Sequence, residues 1–170
     1  EEVWGKLVKG LNKLGKYSLE EFGIKLSYHH HVGTMIEKIS EVDRLLNETD
    51  DRYVTLNYDC GHFYFANEDP LKALKKYMPR ISHIHLKDVR DNIKTRVEKE
   101  NLSFLQGVKL GVFTVPGDGD IENMGEILSY IKKQNYNGWV VVEAEQDSAV
   151  ANPFEYAKMG YEFINKHMNI

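Results

Sequence analysis

Apolar positions along this chain alternate between two periodicities. Short runs of apolar and β-branched residues that lead into polar side chains predict four strands: Ile24–His30, Tyr53–Asp59, Ile81–Leu86 and Trp139–Glu143. Apolar residues spaced by three and four predict helices between them: Glu1–Leu14, Ile36–Leu46, Leu71–Tyr77, Glu122–Gln134 and Phe154–His167. A helix followed by four strand–helix units predicts parallel strand pairing and an α/β fold.

The segment Val89–Asp120 interrupts this repeat with charged residues and then glycines. Its end, Val115–Asp120 (VPGDGD), has neither the Gly-Lys-Ser/Thr of a phosphate-binding loop nor the strand context of a dinucleotide fingerprint. A loop that closes on a small polyol is a better interpretation than a phosphate-binding loop, and a plain β-turn is the default.

Four strand–helix units fit either a small doubly wound sheet or half of a (β/α)8 barrel, which usually needs ~250 residues. Polar residues follow every predicted strand, which favours the barrel, because an open sheet gathers its ligands at one switch point. A half barrel alone leaves strand edges unpaired. We therefore expect residues 1–170 to be the C-terminal half of one TIM-barrel catalytic domain, with the N-terminal half absent from this chain.

Composition narrows the class of protein. The chain has 170 residues, 42% of them hydrophobic, which is enough for one core. No apolar run approaches the ~20 residues that span a bilayer, and no signal-peptide pattern opens the chain. The net charge of −4 argues against a nucleic-acid partner. The single cysteine, Cys60, excludes an internal disulfide and fits a reducing cytoplasm. We expect a cytoplasmic protein with no membrane partner, and a homo-oligomer is compatible with this composition.

Six of the seven histidines lie in three clusters at the ends of successive predicted strands: Tyr28–His31, Asp59–His62 and His83–His85. Scattered core histidines would not align in this way, and strand ends that gather His, Asp and Glu indicate a metal-assisted active site. In Asp59-x-x-His62 the carboxylate could bind a metal while the imidazole faces the same cavity. The alternative is a turn in which Asp59 acts as a local cap.

Strand parity places His83 and His85 on one face, where buried imidazoles must be hydrogen-bonded or bound to a metal. A satisfied pair of core histidines is the alternative. Lys87 shares their parity and could stabilise an oxyanion. Glu143 ends an apolar run and so needs a cation or donors, and Glu145 shares its parity as a second acid–base group. The alternative is that Glu143 and Glu145 both lie beyond the end of the strand and are solvated.

The triple histidine is less well determined. At most two of His29, His30 and His31 can share one side of a strand. Glu37 either reaches back toward them or is an ordinary glutamate in the first turn of a helix.

Together these motifs resemble the xylose isomerase-like TIM-barrel superfamily, which also contains endonuclease IV. The resemblance implies that Asp59, His85 and Glu143 are metal ligands. The superfamily's first ligand is a glutamate at the strand end where this chain has His29, so the fourth ligand is either His29 or Glu37. The implied metal is Mn²⁺ or Co²⁺, with Zn²⁺ or Fe²⁺ as alternatives.

Within the superfamily, the most similar group dehydrates scyllo-inosose to a trihydroxycyclohexane-1,2-dione in myo-inositol catabolism. The segments that carry this likeness are Tyr28–Thr34, His85–Arg90, Gly111–Gly119 and Val142–Asp147. The implied reaction removes a proton α to the ketone and then protonates the departing β-hydroxyl. We expect the following acid–base or stabilising groups: His30, His62, Lys87 and Glu145. We expect the following contacts to the polyol ketone substrate: Tyr28, His29, His31, His83 and Arg90.

Three other functions compete with this hypothesis. A ketose or inosose isomerase or epimerase of the same superfamily would share the enolate step but reprotonate carbon. A metal-dependent nuclease is disfavoured because endonuclease IV would want Asp-x-His where this chain has Asp118-Gly119-Asp120. A non-catalytic sugar- or metal-binding protein would need the ligands without an acid–base pair.

Overall fold

The structure is a computed structural model, and it describes residues 1–168. The helices are α1 Glu2–Phe22, α2 Ile39–Glu48, α3 Cys60–Phe65, α4 Pro70–Tyr77, α5 Asp91–Lys99, α6 Phe104–Lys109, α7 Met124–Lys133 and α8 Pro153–Met168. The strands are β1 Leu26–His29, β2 Val54–Asp59, β3 Ile81–Leu86, β4 Asp88–Val89, β5 Phe113–Thr114 and β6 Trp139–Val142. A 3-10 turn, Met78–Arg80, joins α4 to β3.

Four strands form one parallel sheet in the order β1-β2-β3-β6. This arrangement confirms the predicted α/β class and the four predicted strands. The register sets Asp59 beside His85 across β2 and β3, and His29 beside Asn57 across β1 and β2. Because parallel strands point the same way, their carboxyl ends share one edge of the sheet.

Several elements differ from their predicted bounds, and three of these differences have a clear cause or consequence. Helix α1 runs on to Phe22, beyond the predicted end at Leu14, and stops at Gly23, whose left-handed φ of 67° forms the cap. Helix α2 begins at Ile39 because the Glu41 carboxylate accepts the N–H groups of two preceding residues, 37 and 38. Strand β6 ends at residue 142, so the acidic residues after it lie on the following loop.

The interruption in the repeat, Val89–Asp120, has structure that the sequence analysis did not predict. It contains α5 and α6, and its β5 pairs antiparallel with β4. Helix α6 begins at a capping box in which the Ser103 side chain and the Gln106 side chain bond each other's backbone N–H groups.

The strands separate an apolar layer from a polar one. Alternate residues of β2 and β3, such as Leu56, Tyr58 and Ile84, are completely buried in the hydrophobic core, whose helical part includes Leu45 of α2 and Ile127 of α7. The intervening residues carry polar groups on the opposite face of the sheet.

The lowest level of that polar face is a group of hydroxyls. Thr55 Oγ1 lies 2.5 Å from Ser82 Oγ, which lies 3.3 Å from Ser27 Oγ. The imidazoles and carboxylates lie above this hydroxyl layer, toward the carboxyl ends of the strands. The sheet alternation therefore aims the site residues inward from several strands at once.

The outer strands of the sheet are β1 and β6, each with one strand neighbour among the described residues. Large apolar side chains are exposed close to both strands, including Ile24 and Trp139. Across residues 1–168, no helix is long and apolar enough to span a membrane.

Candidate active site

The ends of the four parallel strands bring two imidazoles and two carboxylates together. His29 Nε2 lies 3.3 Å from Asp59 Oδ2. His85 Nδ1 lies 3.7 Å from the same oxygen and 3.2 Å from Glu143 Oε2. One residue from each strand end, or from the loop directly after it, thus faces a common point.

Asp59 is completely buried and uses its two oxygens differently. Oδ1 accepts the backbone N–H of His62 at 3.0 Å and so caps α3, while Oδ2 faces the imidazoles. Burial opposes ionisation of this carboxyl, but the nearby His62 and Lys87 side chains, together with hydrogen bonds from His29 and His85, outweigh burial and hold the pKa of Asp59 well below its usual range. The two interpretations of Asp59-x-x-His62, a local cap and a site residue, therefore both apply.

The donor set suits a divalent cation. Ligand atoms of His29, Asp59, His62 and Glu143 all lie within 4.8 Å of one another. His85 Nδ1 is buried and, within the part of the chain that the structure describes, makes no well-aligned hydrogen bond, although Glu143 Oε2 lies 3.2 Å away. Glu143 Oε2 is buried as well, and the Lys87 ammonium lies 2.9 Å from it. Buried nitrogen and carboxylate oxygen atoms aimed at one point fit a metal such as Mn²⁺, Co²⁺, Fe²⁺ or Zn²⁺.

Lys87 approaches the same point from directly beyond the carboxyl end of β3. Its side chain is completely buried, and its ammonium lies 2.9 Å from Glu143 Oε2, 3.7 Å from Asp59 Oδ2 and in contact with the Glu145 carboxylate. It also lies 3.1 Å from His62 Nε2. Burial favours a neutral amine, but the carboxylates prevail and raise the pKa of Lys87, so the residue is an ammonium.

The segment Asp59–His62 builds the pocket for this lysine. Cys60 Sγ lies 3.3 Å from Lys87 N and 3.2 Å from Lys87 O. A Cβ on Gly61 would come within 2.8 Å of Lys87 Cβ and Cγ, so a glycine is required where the lysine stem passes. Glu145, on the other side of the ammonium, has a left-handed φ of 46°, a conformation that side chains disfavour and that clusters at functional sites.

The rings of His62 and His31 pack against each other, with centroids 3.9 Å apart and planes tilted by 41°. His62 is buried, which lowers its pKa to about 2 and makes it a neutral acceptor for the Lys87 ammonium. His31 is partly exposed, and its Nδ1 lies 2.8 Å from the Val32 carbonyl. Because a carbonyl only accepts, Nδ1 carries the proton and Nε2 keeps its lone pair. Ligand atoms of His31, His62 and Glu145 also lie within 4.8 Å of one another.

His30, expected to be an acid–base group, lies in the core instead. It is completely buried, stacks on Phe63 at 3.7 Å, and accepts the backbone N–H of Asp59 through Nε2 at 3.3 Å. Burial lowers the pKa of His30 to about 3, so it is neutral. These contacts position the Asp59 backbone, and the assignment of His30 as an acid–base group stays a prediction.

Two expected substrate contacts lie at the edge of the site or away from it. Tyr28 packs against the hydrophobic core, because it has the opposite strand parity to His29. His83 lies beneath His85, with ring centroids 5.2 Å apart. The structure thus confirms that His83 and His85 share a face, and it keeps His83 below the carboxylates.

Glu37 is engaged elsewhere. Its Oε2 accepts the Gly33 N–H at 2.7 Å and holds the turn after β1. The grouped ligand atoms include His29 and do not include Glu37. Of the two candidates for a fourth ligand, the geometry therefore favours His29.

Arg90 holds a loop in place. Its guanidinium donates to the Gly111 carbonyl at 2.7 Å, the Asp118 carboxylate at 2.6 Å and the Thr114 hydroxyl at 3.1 Å. These partners all belong to residues 111–118, so Arg90 fastens this loop, and its contact with substrate stays a prediction.

Asp88 fastens the glycine-rich segment from the other side. Its buried carboxylate accepts the N–H groups of Val89, Gly117 and Ile121 at 2.9, 3.0 and 3.1 Å. A Cβ on Gly119 would come within 2.4 Å of Asp88 Oδ1, which explains a glycine there. The segment is a fixed loop packed on the end of β4.

One polar residue of the site was absent from the predictions. Asn57 is buried on β2, and its Nδ2 lies 3.3 Å from His85 Nε2. Its parity with Asp59, two residues along the same predicted strand, was the available signal.

Comparison with known proteins defines the class first. A family model described as a xylose isomerase-like TIM barrel matches residues 1–167, and the chain belongs to that family. The predicted resemblance is confirmed, and the parallel sheet with its helices is part of a (β/α) barrel. That the part is the C-terminal half stays a prediction.

Curated relatives indicate a particular activity. An inosose dehydratase from Bacillus thuringiensis (strain Al Hakam) is 51% identical over 166 residues, which cover 98% of this chain and 55% of the relative. An inosose dehydratase from Clostridium botulinum (strain Alaska E43 / Type E3) is 46% identical over 170 residues, which cover 100% of this chain and 56% of the relative. The chain thus spans about 55% of the length of these relatives.

Solved structures share the fold at low identity. The IolI protein with a bound zinc atom has a TM-score of 0.66 and 19% identity, over 92% of this chain and 55% of that one. The probable 3-DHS dehydratase AsbF from Bacillus anthracis has a TM-score of 0.69 and 16% identity, over 91% and 55%.

Proposed function

We propose that the protein carrying this chain is an inosose dehydratase, which removes water from scyllo-inosose to give a trihydroxycyclohexane-1,2-dione. The observation that carries the proposal is the convergence of imidazoles, carboxylates and the Lys87 ammonium at the ends of four strands. The relatives named inosose dehydratase support it, since they match nearly the whole chain at about half identity.

In this proposal His29, Asp59, His85 and Glu143 hold a divalent cation, Mn²⁺ or Co²⁺ in the first instance. The bound cation would act as a Lewis acid toward the ketone oxygen of the substrate. His85 is preferred to His62 as a ligand because Nδ1 of His85 makes no well-aligned hydrogen bond among residues 1–168 and faces both carboxylates, whereas Nε2 of His62 lies 3.1 Å from the Lys87 ammonium.

His31 is the proposed proton carrier. Its Nε2 has a free lone pair, its ring is partly exposed, and it lies against His62 and Glu145. The imidazole takes the proton from the carbon next to the ketone, and the C–H electron pair enters the enolate. The imidazolium then returns this proton to the β-hydroxyl, whose C–O bond breaks as the C=C bond forms and water leaves. The enol that remains gives the diketone when its hydroxyl proton moves to carbon.

Lys87 supplies fixed positive charge during these transfers. Its ammonium is held by Glu143, Glu145 and His62, so it needs no rearrangement as negative charge develops on the substrate oxygens. Glu145 keeps the ammonium oriented toward the open side of the cluster. Exchange of Lys87 for an uncharged residue should therefore slow the reaction even when substrate binds.

The test is turnover of scyllo-inosose by the purified protein with Mn²⁺ or Co²⁺, followed by the ultraviolet absorbance of the diketone product. We expect His85→Ala to abolish turnover, whereas His167→Ala, a matched change on α8, retains it. Full activity of a folded, metal-supplied His85→Ala protein would overturn the proposed site. Formation of an epimer or isomer in place of the diketone would reassign the reaction to the isomerase class.

A further inference from the structure

Asn57 faces the metal-ligand candidate His85 from the side opposite the carboxylates. Its side-chain amide lies 3.3 Å from His85 Nε2, while His85 Nδ1 faces Asp59 and Glu143 at 3.7 and 3.2 Å. Asn57 itself is buried, with 6% of its surface exposed. The two ring nitrogens of His85 are thus divided between one amide and two carboxylates.

This division fixes which ring nitrogen must carry the proton. A neutral imidazole has one N–H donor and one lone pair. If Nδ1 offers its lone pair to a cation together with the carboxylates, the proton resides on Nε2. A buried N–H in that position needs an acceptor, and the Asn57 amide is the group within reach.

The amide can supply that acceptor. Its Oδ1 is buried and meets no hydrogen-bond donor among the residues that the structure describes. Within residues 1–168, no donor therefore fixes Oδ1, and a half-turn of the amide exchanges Oδ1 and Nδ2 in place. In the turned orientation Oδ1 accepts the Nε2 proton.

We infer that Asn57 is a positioning residue that accepts the Nε2 proton of His85 and thereby directs the Nδ1 lone pair toward the metal position. The inference rests on the proposed metal site and adds a residue to it. Asn57 does not touch substrate or metal, and it acts only by selecting the tautomer and orientation of His85. Loss of such an outer partner typically weakens metal binding by ~10–100-fold.

Two replacements of similar size separate this role from simple packing. Asn57→Asp keeps the acceptor and removes the donor, whereas Asn57→Leu removes both. Thr55→Val, on the same strand and face but in the hydroxyl layer, is the matched control. We expect Zn²⁺ affinity, measured in the purified full-length protein by competition with a chromophoric chelator, to fall ~10–100-fold for Asn57→Leu. Affinity should be retained or increased for Asn57→Asp and unchanged for Thr55→Val.

Nitrogen-15 chemical shifts of the histidine rings in the Zn²⁺-loaded wild-type protein give a second readout. We expect His85 to show a protonated Nε2 and a metal-bound Nδ1. Wild-type Zn²⁺ affinity in a folded Asn57→Leu protein, or metal bound through Nε2, would overturn the inference while leaving the metal site intact. A wild-type protein that binds no Zn²⁺ at this cluster would instead refute the proposed site itself.

Discussion

Replacement of Lys87 by methionine tests how the site balances its charge. Methionine fits the buried passage of the lysine stem beside Gly61 but removes the ammonium. Asp59 would then keep its buried negative charge without the cation that lies 3.7 Å away. Glu143 and Glu145 would lose the same partner, although 37% and 24% of their side chains reach solvent.

The solvent exposure of these carboxylates determines how much stability the Lys87→Met protein should lose. Breaking a buried ion pair from one side costs ~3–5 kcal/mol because an uncompensated charge remains. Only Asp59 is fully buried, so the low end, about 3 kcal/mol, applies here. For a domain of this size each kcal/mol lowers the melting temperature by roughly 2–4 °C, which predicts a decrease of about 6–12 °C for Lys87→Met without metal.

A divalent cation should reverse part of this loss, because it supplies positive charge to the same carboxylates. Thermal unfolding followed by circular dichroism, with and without Mn²⁺, measures both effects. We expect Mn²⁺ to raise the melting temperature of Lys87→Met more than that of the wild type.

Lys6→Met is the control for this experiment. Lys6 pairs with Glu2 on the surface of α1 and is 74% exposed, so its loss should change stability by less than about 1 kcal/mol. Melting temperatures of Lys87→Met and Lys6→Met that differ by less than about 2 °C would refute the charge-balance argument, because each kcal/mol lowers the melting temperature by roughly 2–4 °C.

The sequence predicted the sheet and the residues that lie within its strands. Period-two alternation placed His83, His85 and Lys87 on one face, and the structure has all three there. The same rule applied to β2 would have added Asn57 beside Asp59. Parity is informative here because each of these residues lies in a strand or directly beyond its end.

Strand parity could not predict the positions of side chains where the chain leaves the sheet. Strand β1 ends at His29, so His30 and His31 lie beyond the pleated strand, just before the turn at Val32 and Gly33. His30 enters the core against Phe63, and His31 folds over His62. No local pattern distinguishes adjacent histidines once strand geometry no longer constrains them.

Distant partners explain the other differences. The hydrogen-bond acceptors of Arg90 lie in residues 111–118, which come close to Arg90 only when the segment Val89–Asp120 folds back and β5 pairs with β4.

Helix α5 buries few residues, among them Val97, so the apolar periodicity that would predict this helix is weak. Helix α6 has six residues, too few for periodicity, although its Ser103–Gln106 capping box was readable.

Three further changes probe the rest of the site. Gly61→Ala should lower the free energy of unfolding by ~1–3 kcal/mol and reduce turnover, because the added Cβ would displace the base of the Lys87 side chain. Gly10→Ala on α1, whose added Cβ meets open space, should change neither. Equal melting temperatures and activities for the two variants would contradict this. His29→Ala should weaken Zn²⁺ binding, measured by chelator titration, by at least ~10-fold, whereas Glu37→Gln should leave it unchanged. If Glu37→Gln weakens Zn²⁺ binding and His29→Ala does not, Glu37 is the fourth ligand. Arg90→Lys should speed amide hydrogen exchange across residues 111–118, because an ammonium cannot span the carbonyl and carboxylate that the planar guanidinium joins. Unchanged exchange in these residues would show that other contacts hold the loop.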